Sequence, residues 1–216
     1  MFSNAPQKLA TNVFWRFFER LKSDNKGVAA LEFALIAPFM ITLYMGSVEL
    51  HHALSADRRV TDLAGATADL VAQSSDISGK MDNIFEAAST YLKPYGVANL
   101  RITVSSICHA GDDTGRIDWS ANYTNGGAKS YSHMDTVPLP LDDDDKPVLT
   151  IQGTSLILAE VTYNYTSPLG KYVNSMTLSD HYYLRPRLND TPSVINTDAG
   201  GSAEGCGDSD FSDLGS

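Results

Sequence analysis

A continuous apolar stretch near the N-terminus constrains the fold of this chain more than any other feature. It runs from Val28 to Leu50, a stretch of 23 residues with only two charged side chains, Glu32 and Glu49. As an α-helix it would be about 34 Å long, enough to cross the roughly 30 Å hydrocarbon layer of a bilayer once. It is longer than the apolar core of a usual signal peptide, and no Ala-x-Ala site is obvious after it. We therefore predict a transmembrane signal anchor at residues 28–50.

Two residues inside this predicted span are unusual for a lipid-embedded helix. A carboxylate such as Glu32 loses its hydration in hydrocarbon, at a cost of about 2.5 to 3.5 kcal/mol at a span centre. Either Glu32 reaches back to the headgroups, since it lies only about 7 Å into the span, or a partner neutralises it. Pro38 removes one backbone hydrogen bond, which predicts a kink in the transmembrane helix.

Charged residues are distributed unevenly on the two sides of the predicted span. The leader, residues 1–27, has five basic and two acidic side chains, whereas the chain after Leu50 has 11 basic and 22 acidic ones. The positive-inside rule therefore predicts a cytoplasmic N-terminus and an exported remainder. Apolar side chains recur at helical spacing over residues 8–22 and basic side chains lie beside them, which predicts an amphipathic helix on the inner leaflet. The acidic exterior argues against nucleic-acid binding.

The exported part begins with helical spacing and then changes to the spacing of strands. Apolar residues recur every three or four positions up to Gln73, and a second helical pattern covers residues 80–92. A period of two then marks four strands: Leu100–Cys108, Ile117–Tyr123, Ile157–Tyr165 and Met176–Leu184. No helix-sized pattern separates them, so we predict an antiparallel sheet. The outer half of the long helix is expected to pack on this sheet, which gives an α+β fold.

This pattern divides the chain into four predicted parts. The leader and the span are followed by an exported α+β domain at residues 51–188. The remaining residues, 189–216, are rich in Gly, Ser and Asp with few apolar side chains, which predicts a flexible acidic tail.

The chain has two cysteines, Cys108 and Cys206, and both lie on the predicted exported side. In an oxidising compartment such a pair most often forms a disulfide, which would close a loop of almost a hundred residues. Two unpaired thiols or bridges between molecules are the alternatives.

Motifs for enzymatic or metal chemistry are absent from the sequence. The acidic run at residues 142–145 and the turn at residues 111–115 lack the Asp-x-Asp-x-Asp-Gly spacing of a calcium loop, so we interpret both as solvated loops. The five histidines are scattered, and no phosphate loop, nucleophile elbow or dinucleotide fingerprint occurs. We therefore predict no catalytic residue, no metal site and no cofactor.

The start of the apolar stretch resembles a known family. Lys26 and Gly27 precede Val28-Ala29-Ala30-Leu31-Glu32-Phe33-Ala34-Leu35, and Pro38 follows. This run resembles the processing site of prepilin-like proteins and, more narrowly, the TadE/TadG pseudopilins of tight-adherence (Flp-type) pilus systems. The chain lacks the Asp-x-Ser-x-Ser motif expected of larger TadG-type relatives, so it resembles the TadE-like end of that family.

The resemblance implies specific roles for Gly27, Val28, Glu32 and Phe33. A prepilin peptidase would cut between Gly27 and Val28 and leave Glu32, followed by Phe33, at mature position five. Glu32 of one subunit would then neutralise the new α-amino group of its neighbour and set the subunit register. The resemblance also implies the pilin-like architecture, a long helix packed on a small sheet. Two alternatives remain: Gly27 as a flexible joint, and a leader that is kept.

We interpret the chain as a minor pseudopilin that helps assemble or initiate a Flp-type pilus. It would be a single-pass protein of the bacterial inner membrane with its C-terminal domain periplasmic or extracellular. Its expected partners are the lipid bilayer, other pilins or pseudopilins, the assembly platform and prepilin peptidase. The main alternative is a single-span envelope protein that scaffolds a secretion complex or binds an extracellular ligand, and an exported hydrolase on a stalk has the least support.

Overall fold

The computed structural model describes residues 27–109, 114–124, 131–141, 154–167, 175–188, 193–201 and 206. The predicted amphipathic helix at residues 8–22 lies outside these residues. The chain divides into two compact units, Met1–Leu50 and His51–Ser216.

The described residues form two α-helices, five strands and two 3₁₀ turns. In chain order they are α1 (Val28–Ala72), α2 (Met81–Ser89), a 3₁₀ turn (Thr90–Leu92), β1 (Leu100–His109), β2 (Thr114–Thr124), β3 (Thr136–Pro138), β4 (Ser155–Tyr165), β5 (Met176–Leu184) and a second 3₁₀ turn (Thr197–Ala199). The two helices predicted after residue 27 and the four predicted strands are confirmed.

The part of α1 in the first unit exposes its apolar side chains. Leu31, Phe33 and Leu35 are between 67% and 73% accessible, and the other large apolar side chains up to Leu50 are exposed as well. A core helix of a soluble domain would hide such residues, whereas a helix surrounded by lipid or by other helices is apolar on all sides. By length and composition, α1 is the one helix of the described chain that could cross a membrane.

The part of α1 in the second unit buries a single face against the sheet. Its fully buried apolar residues follow one another at helical spacing: Ala56, Val60, Leu63, Ala64, Ala68 and Val71. They share one core cluster with α2, through Phe85, and with side chains of β1, β2 and β4 such as Val104, Trp119 and Val161. The predicted packing of the outer helix on the sheet is therefore confirmed.

The five strands form one antiparallel sheet in the order β3-β2-β1-β4-β5. The three central strands, β2, β1 and β4, are 10 or 11 residues long and were predicted from their alternating pattern. β3 was not predicted, because three residues ending in Pro138 are too short to display a period of two. It pairs with the start of β2 at the edge of the sheet.

A β-bulge corrects the predicted facing of β2. The pairing of β1 with β2 shifts between Ser106 and Ile107: Ser106 lies opposite Trp119 and Ile107 opposite Ile117, so that Asp118 is the extra residue of β2. An extra residue in one strand reverses the facing of the residues beyond it. Trp119 therefore lies in the core under α1, whereas Ile117 joins a second cluster with Ile107, Val137, Leu139, Leu156 and Leu158. The sequence pattern had placed Ile117 and Trp119 on one face.

The buried face of α1 gives a direct test of the helix-on-sheet packing. Leu63→Ala is expected to lower the free energy of unfolding by about 2 to 5 kcal/mol, because Leu63 is fully buried. Leu54→Ala is the matched control on the same helix, since Leu54 is 50% exposed, and should change it by about 0.5 kcal/mol or less. Urea unfolding of the full chain in detergent measures both, and equal effects would contradict the packing.

Candidate functional site

The candidate site begins at the N-terminal end of α1, where Gly27 precedes the first helical residue, Val28. A Cβ added to Gly27 would meet no atom within 4 Å. Packing among the described residues therefore does not explain a glycine at this position. Recognition by another molecule or freedom of the backbone remains as the reason.

Glu32 projects from α1 among exposed apolar neighbours. Leu31 and Phe33 on either side of it are 67% and 72% accessible, and Glu32 itself is exposed. Within the described residues, Glu32 has no ion-pair or hydrogen-bond partner. The described residues supply no cation to offset the charge of this carboxylate, so any compensating group in a membrane comes from outside them.

Pro38 lies inside α1 without ending it. The hydroxyl of Thr42 donates a hydrogen bond to the carbonyl of Pro38 over 2.8 Å, and the hydroxyl of Ser47 donates to the carbonyl of Tyr44 over 2.9 Å. Both polar side chains thus bond to the backbone of their own helix, as membrane helices require. The predicted kink at Pro38 stays a prediction.

In the second unit, Cys108 and Cys206 form a disulfide with their Cα atoms 5.4 Å apart. Cys108 is in β1, and both cysteines are buried. The backbone N–H of Cys206 donates to the hydroxyl of Ser193 over 3.0 Å. The bridge therefore fastens the end of the chain to a central strand of the sheet.

Part of the segment that the sequence predicts to be a flexible tail is packed against the domain. Val194 is fully buried, and its carbonyl accepts a 2.7 Å hydrogen bond from the indole N–H of Trp119. Ile195 accepts from the N–H of Ile77 over 3.0 Å and donates to the carbonyl of Ser75 over 2.9 Å. The tail from residue 189 thus contains a packed segment at 193–201, while residues 189–192, 202–205 and 207–216 lie outside the described chain.

The packed segment meets the turn that follows α1. Asp76 accepts a hydrogen bond from the backbone N–H of Ser78 over 2.9 Å, and this bond, helped by the Ser78 side chain, holds the pKa of Asp76 below its ordinary value. Gly79, with φ of +69°, donates its N–H to the carboxylate of Asp198. Glycine suits this left-handed position, and the bond joins the turn to the tail.

The two acidic loops that the sequence analysis considered for calcium lie mostly outside the described residues. Residues 142–145 and 111–113 lie outside the described chain. Gly115, which the sequence pattern assigned to a turn, is in β2, where an added Cβ would collide with Ile107 and Leu139. Close packing therefore requires glycine there. Within the described ranges, no three His, Cys, Asp or Glu side chains are grouped so that they could hold a metal ion.

Comparison with known proteins places the family resemblance on the same helix. The family model of TadE-like proteins matches residues 27–69. This segment is similar to TadE-like proteins, and the match covers Gly27, Glu32 and Pro38 together with most of α1. Neither the curated proteins nor the solved structures gave a significant match to this chain.

The sequence singled out Gly27, Glu32 and Pro38, but it did not indicate that segment 193–201 packs against the domain. Segment 193–201 has few apolar residues, and its binding depends on backbone hydrogen bonds that leave no periodic pattern. The sequence offered two signals of this packing: the apolar pair Val194 and Ile195, and the cysteine at position 206.

Removal of the disulfide is expected to destabilise the exported domain. The bridge joins residues 98 positions apart, so the chain-entropy model gives a loss of about 4 to 5 kcal/mol for Cys108→Ser with Cys206→Ser. Chemical unfolding of the oxidised protein and of the double variant measures the difference. An unchanged unfolding midpoint would contradict a structural role for the bridge.

Proposed function

We propose that this protein is a minor pseudopilin that assembles or initiates a Tad (Flp-type) pilus through lateral contacts of α1. The observation that supports the proposal is a carboxylate, Glu32, that has no partner among the described residues and lies on the exposed apolar part of a helix similar to TadE-like proteins. An isolated anchor helix gains nothing from a charge at this depth, because lipid penalises it. A helix that meets other subunits gains specificity from it.

The compensating charge in this proposal is created by processing. Prepilin peptidase cuts between Gly27 and Val28, and the new α-amino group of one subunit pairs with Glu32 of its neighbour. In this pair each charge compensates the other, so that neither is left unpaired in the hydrocarbon. The pair also fixes the axial register of the two helices. Phe33, exposed beside Glu32, supplies apolar contact in the same interface.

The orientation in the membrane follows from the charge distribution. The basic leader at residues 1–27 stays in the cytoplasm, residues 28–50 span the inner membrane, and the disulfide-bonded domain is exported. The partners under this proposal are lipid, other pilins or pseudopilins, the assembly platform and the peptidase. The role is structural rather than enzymatic.

Replacement of Glu32 tests the charge pair. Glu32→Gln keeps the size of the side chain and removes its charge, which leaves the neighbour's α-amino group unpaired. Loss of one partner of a buried pair costs about 3 to 5 kcal/mol, more than a hundredfold in an association constant. Pilus counts by electron microscopy should therefore fall at least about tenfold, while the amount of protein in the membrane fraction is unchanged.

The matched control for this variant is Ser47→Ala. Ser47 is also a polar residue on the exposed apolar helix, but its hydroxyl bonds to its own backbone at Tyr44. Its replacement should leave the pilus count near wild type. Normal piliation with Glu32→Gln would remove the role proposed for the carboxylate.

The N-terminus of the mature chain tests processing separately. In cells with active prepilin peptidase, Edman or mass-spectrometric sequencing of the membrane-extracted protein should begin at Val28. Gly27→Leu should retain the leader without unfolding the helix, because the space around Gly27 is open. An intact leader in the wild-type protein would instead favour the single-span scaffold.

A further inference from the structure

A short groove on α1, at the beginning of the second unit, carries a basic side chain that the proposed function does not use. The groove is about 300 Å³ in volume and is lined by His51, Leu54, Ser55, Arg58, Arg59 and Asp62. All six residues lie within three turns of one helix. The described lining of the groove therefore comes from the surface of α1.

The two arginines of the groove differ in what they contact. Arg59 donates a hydrogen bond from its guanidinium to the carbonyl of Tyr91 over 3.3 Å, which ties it to the segment after α2. Arg58 is exposed, and among the described residues it has no ion-pair or hydrogen-bond partner. Arg58 is therefore the cation of the groove that is available to a ligand.

Helix geometry sets the direction in which Arg58 reaches. Side chains of an α-helix lean toward its N-terminus, so Arg58 covers the surface over Leu54 and Ser55, one turn earlier. Asp62 lies one turn later, on the side away from that direction. Among the described lining residues, the part of the groove that Arg58 covers thus has no carboxylate, and its other polar groups are the imidazole of His51 and the hydroxyl of Ser55.

The position of the groove along α1 selects the ligand. His51 follows directly on the predicted span, and Arg58 is seven residues later, about 10 Å along the helix axis. The headgroup layer on each side of a bilayer is about 5 to 7 Å thick, from the difference between total and hydrocarbon thickness. An arginine that points back by one turn, about 5.4 Å, places its guanidinium at that level.

We propose that Arg58, assisted by His51 and Ser55, binds the phosphate of a lipid headgroup in the outer leaflet of the membrane. A guanidinium presents several N–H donors in a planar fork that matches phosphate oxygens, and Leu54 supplies the apolar surface for the stem of the arginine. This contact fixes the height of the helix in the bilayer. The inference rests on insertion of residues 28–50 in the membrane, which is part of the proposed function.

The test uses the full chain with ¹³C-labelled arginine in phosphatidylglycerol nanodiscs. Incorporation into the nanodisc reports on the span, and ¹³C–³¹P dipolar dephasing of the arginine Cζ signal reports on the phosphate contact. We expect the dephasing of the wild-type protein to fall in Arg58→Gln. It should be unchanged in Arg116→Gln, the control, because Arg116 contacts Thr136 near the edge of the sheet.

Three outcomes would overturn the proposal while the protein still enters the nanodisc. The first is dephasing that is the same in the wild-type protein and in Arg58→Gln. The second is an equal loss in Arg116→Gln, which would reflect a general charge effect. The third is an Arg58-dependent signal in nanodiscs of phosphate-free glycolipid with added inorganic phosphate, which would indicate a soluble anion site. Failure to enter the nanodisc would instead contradict the span itself.

Discussion

The structure depends on one helix that meets two different surroundings. Up to Leu50, α1 exposes Leu31, Phe33 and Leu35, so its surface is apolar on every side. From Ala56 to Val71 the same helix buries one face and leaves the opposite face polar, with Asp57, Arg58 and Asp62 exposed. A soluble protein cannot leave the first surface in water, and a membrane-embedded one cannot keep the second in lipid. The helix therefore has to cross from one solvent to the other.

Sequence patterns predicted the parts of this fold that repeat along the chain. The helical spacing of α1 and the alternation of β1, β4 and β5 recur over nine residues or more, so a single exception does not hide them. β3 spans three residues and has no repeat to detect. Ile117 was assigned to the same face as Trp119 because an extra residue, Asp118, reverses the alternation, and a bulge leaves no mark in a hydrophobicity pattern.

The candidate site also contains residues that the sequence indicated and residues that it did not. Glu32 was recognisable because a carboxylate stands out against an apolar background, and Gly27 because it lies at a fixed distance from it. The packed tail was hidden, since Val194 and Ile195 are held through backbone groups that every residue possesses. Only the cysteines indicated that residues near position 206 return to the sheet, and their pairing partner was inferred from compartment rather than from geometry.

The packed tail also holds the turn that follows α1. The turn after Ala72 is held by Ile195 through two backbone hydrogen bonds, and Ile77 in this turn is fully buried. Segment 193–201 is in turn joined to the sheet by Trp119 and, beyond it, by the disulfide at Cys206. The outer end of the helix is therefore held to the sheet by backbone hydrogen bonds to segment 193–201 and, through Cys206, by the disulfide, in addition to the apolar core that Ile77 and Val194 share with α1. The hydrogen bonds fix the position of the turn, because hydrophobic contacts alone are non-directional.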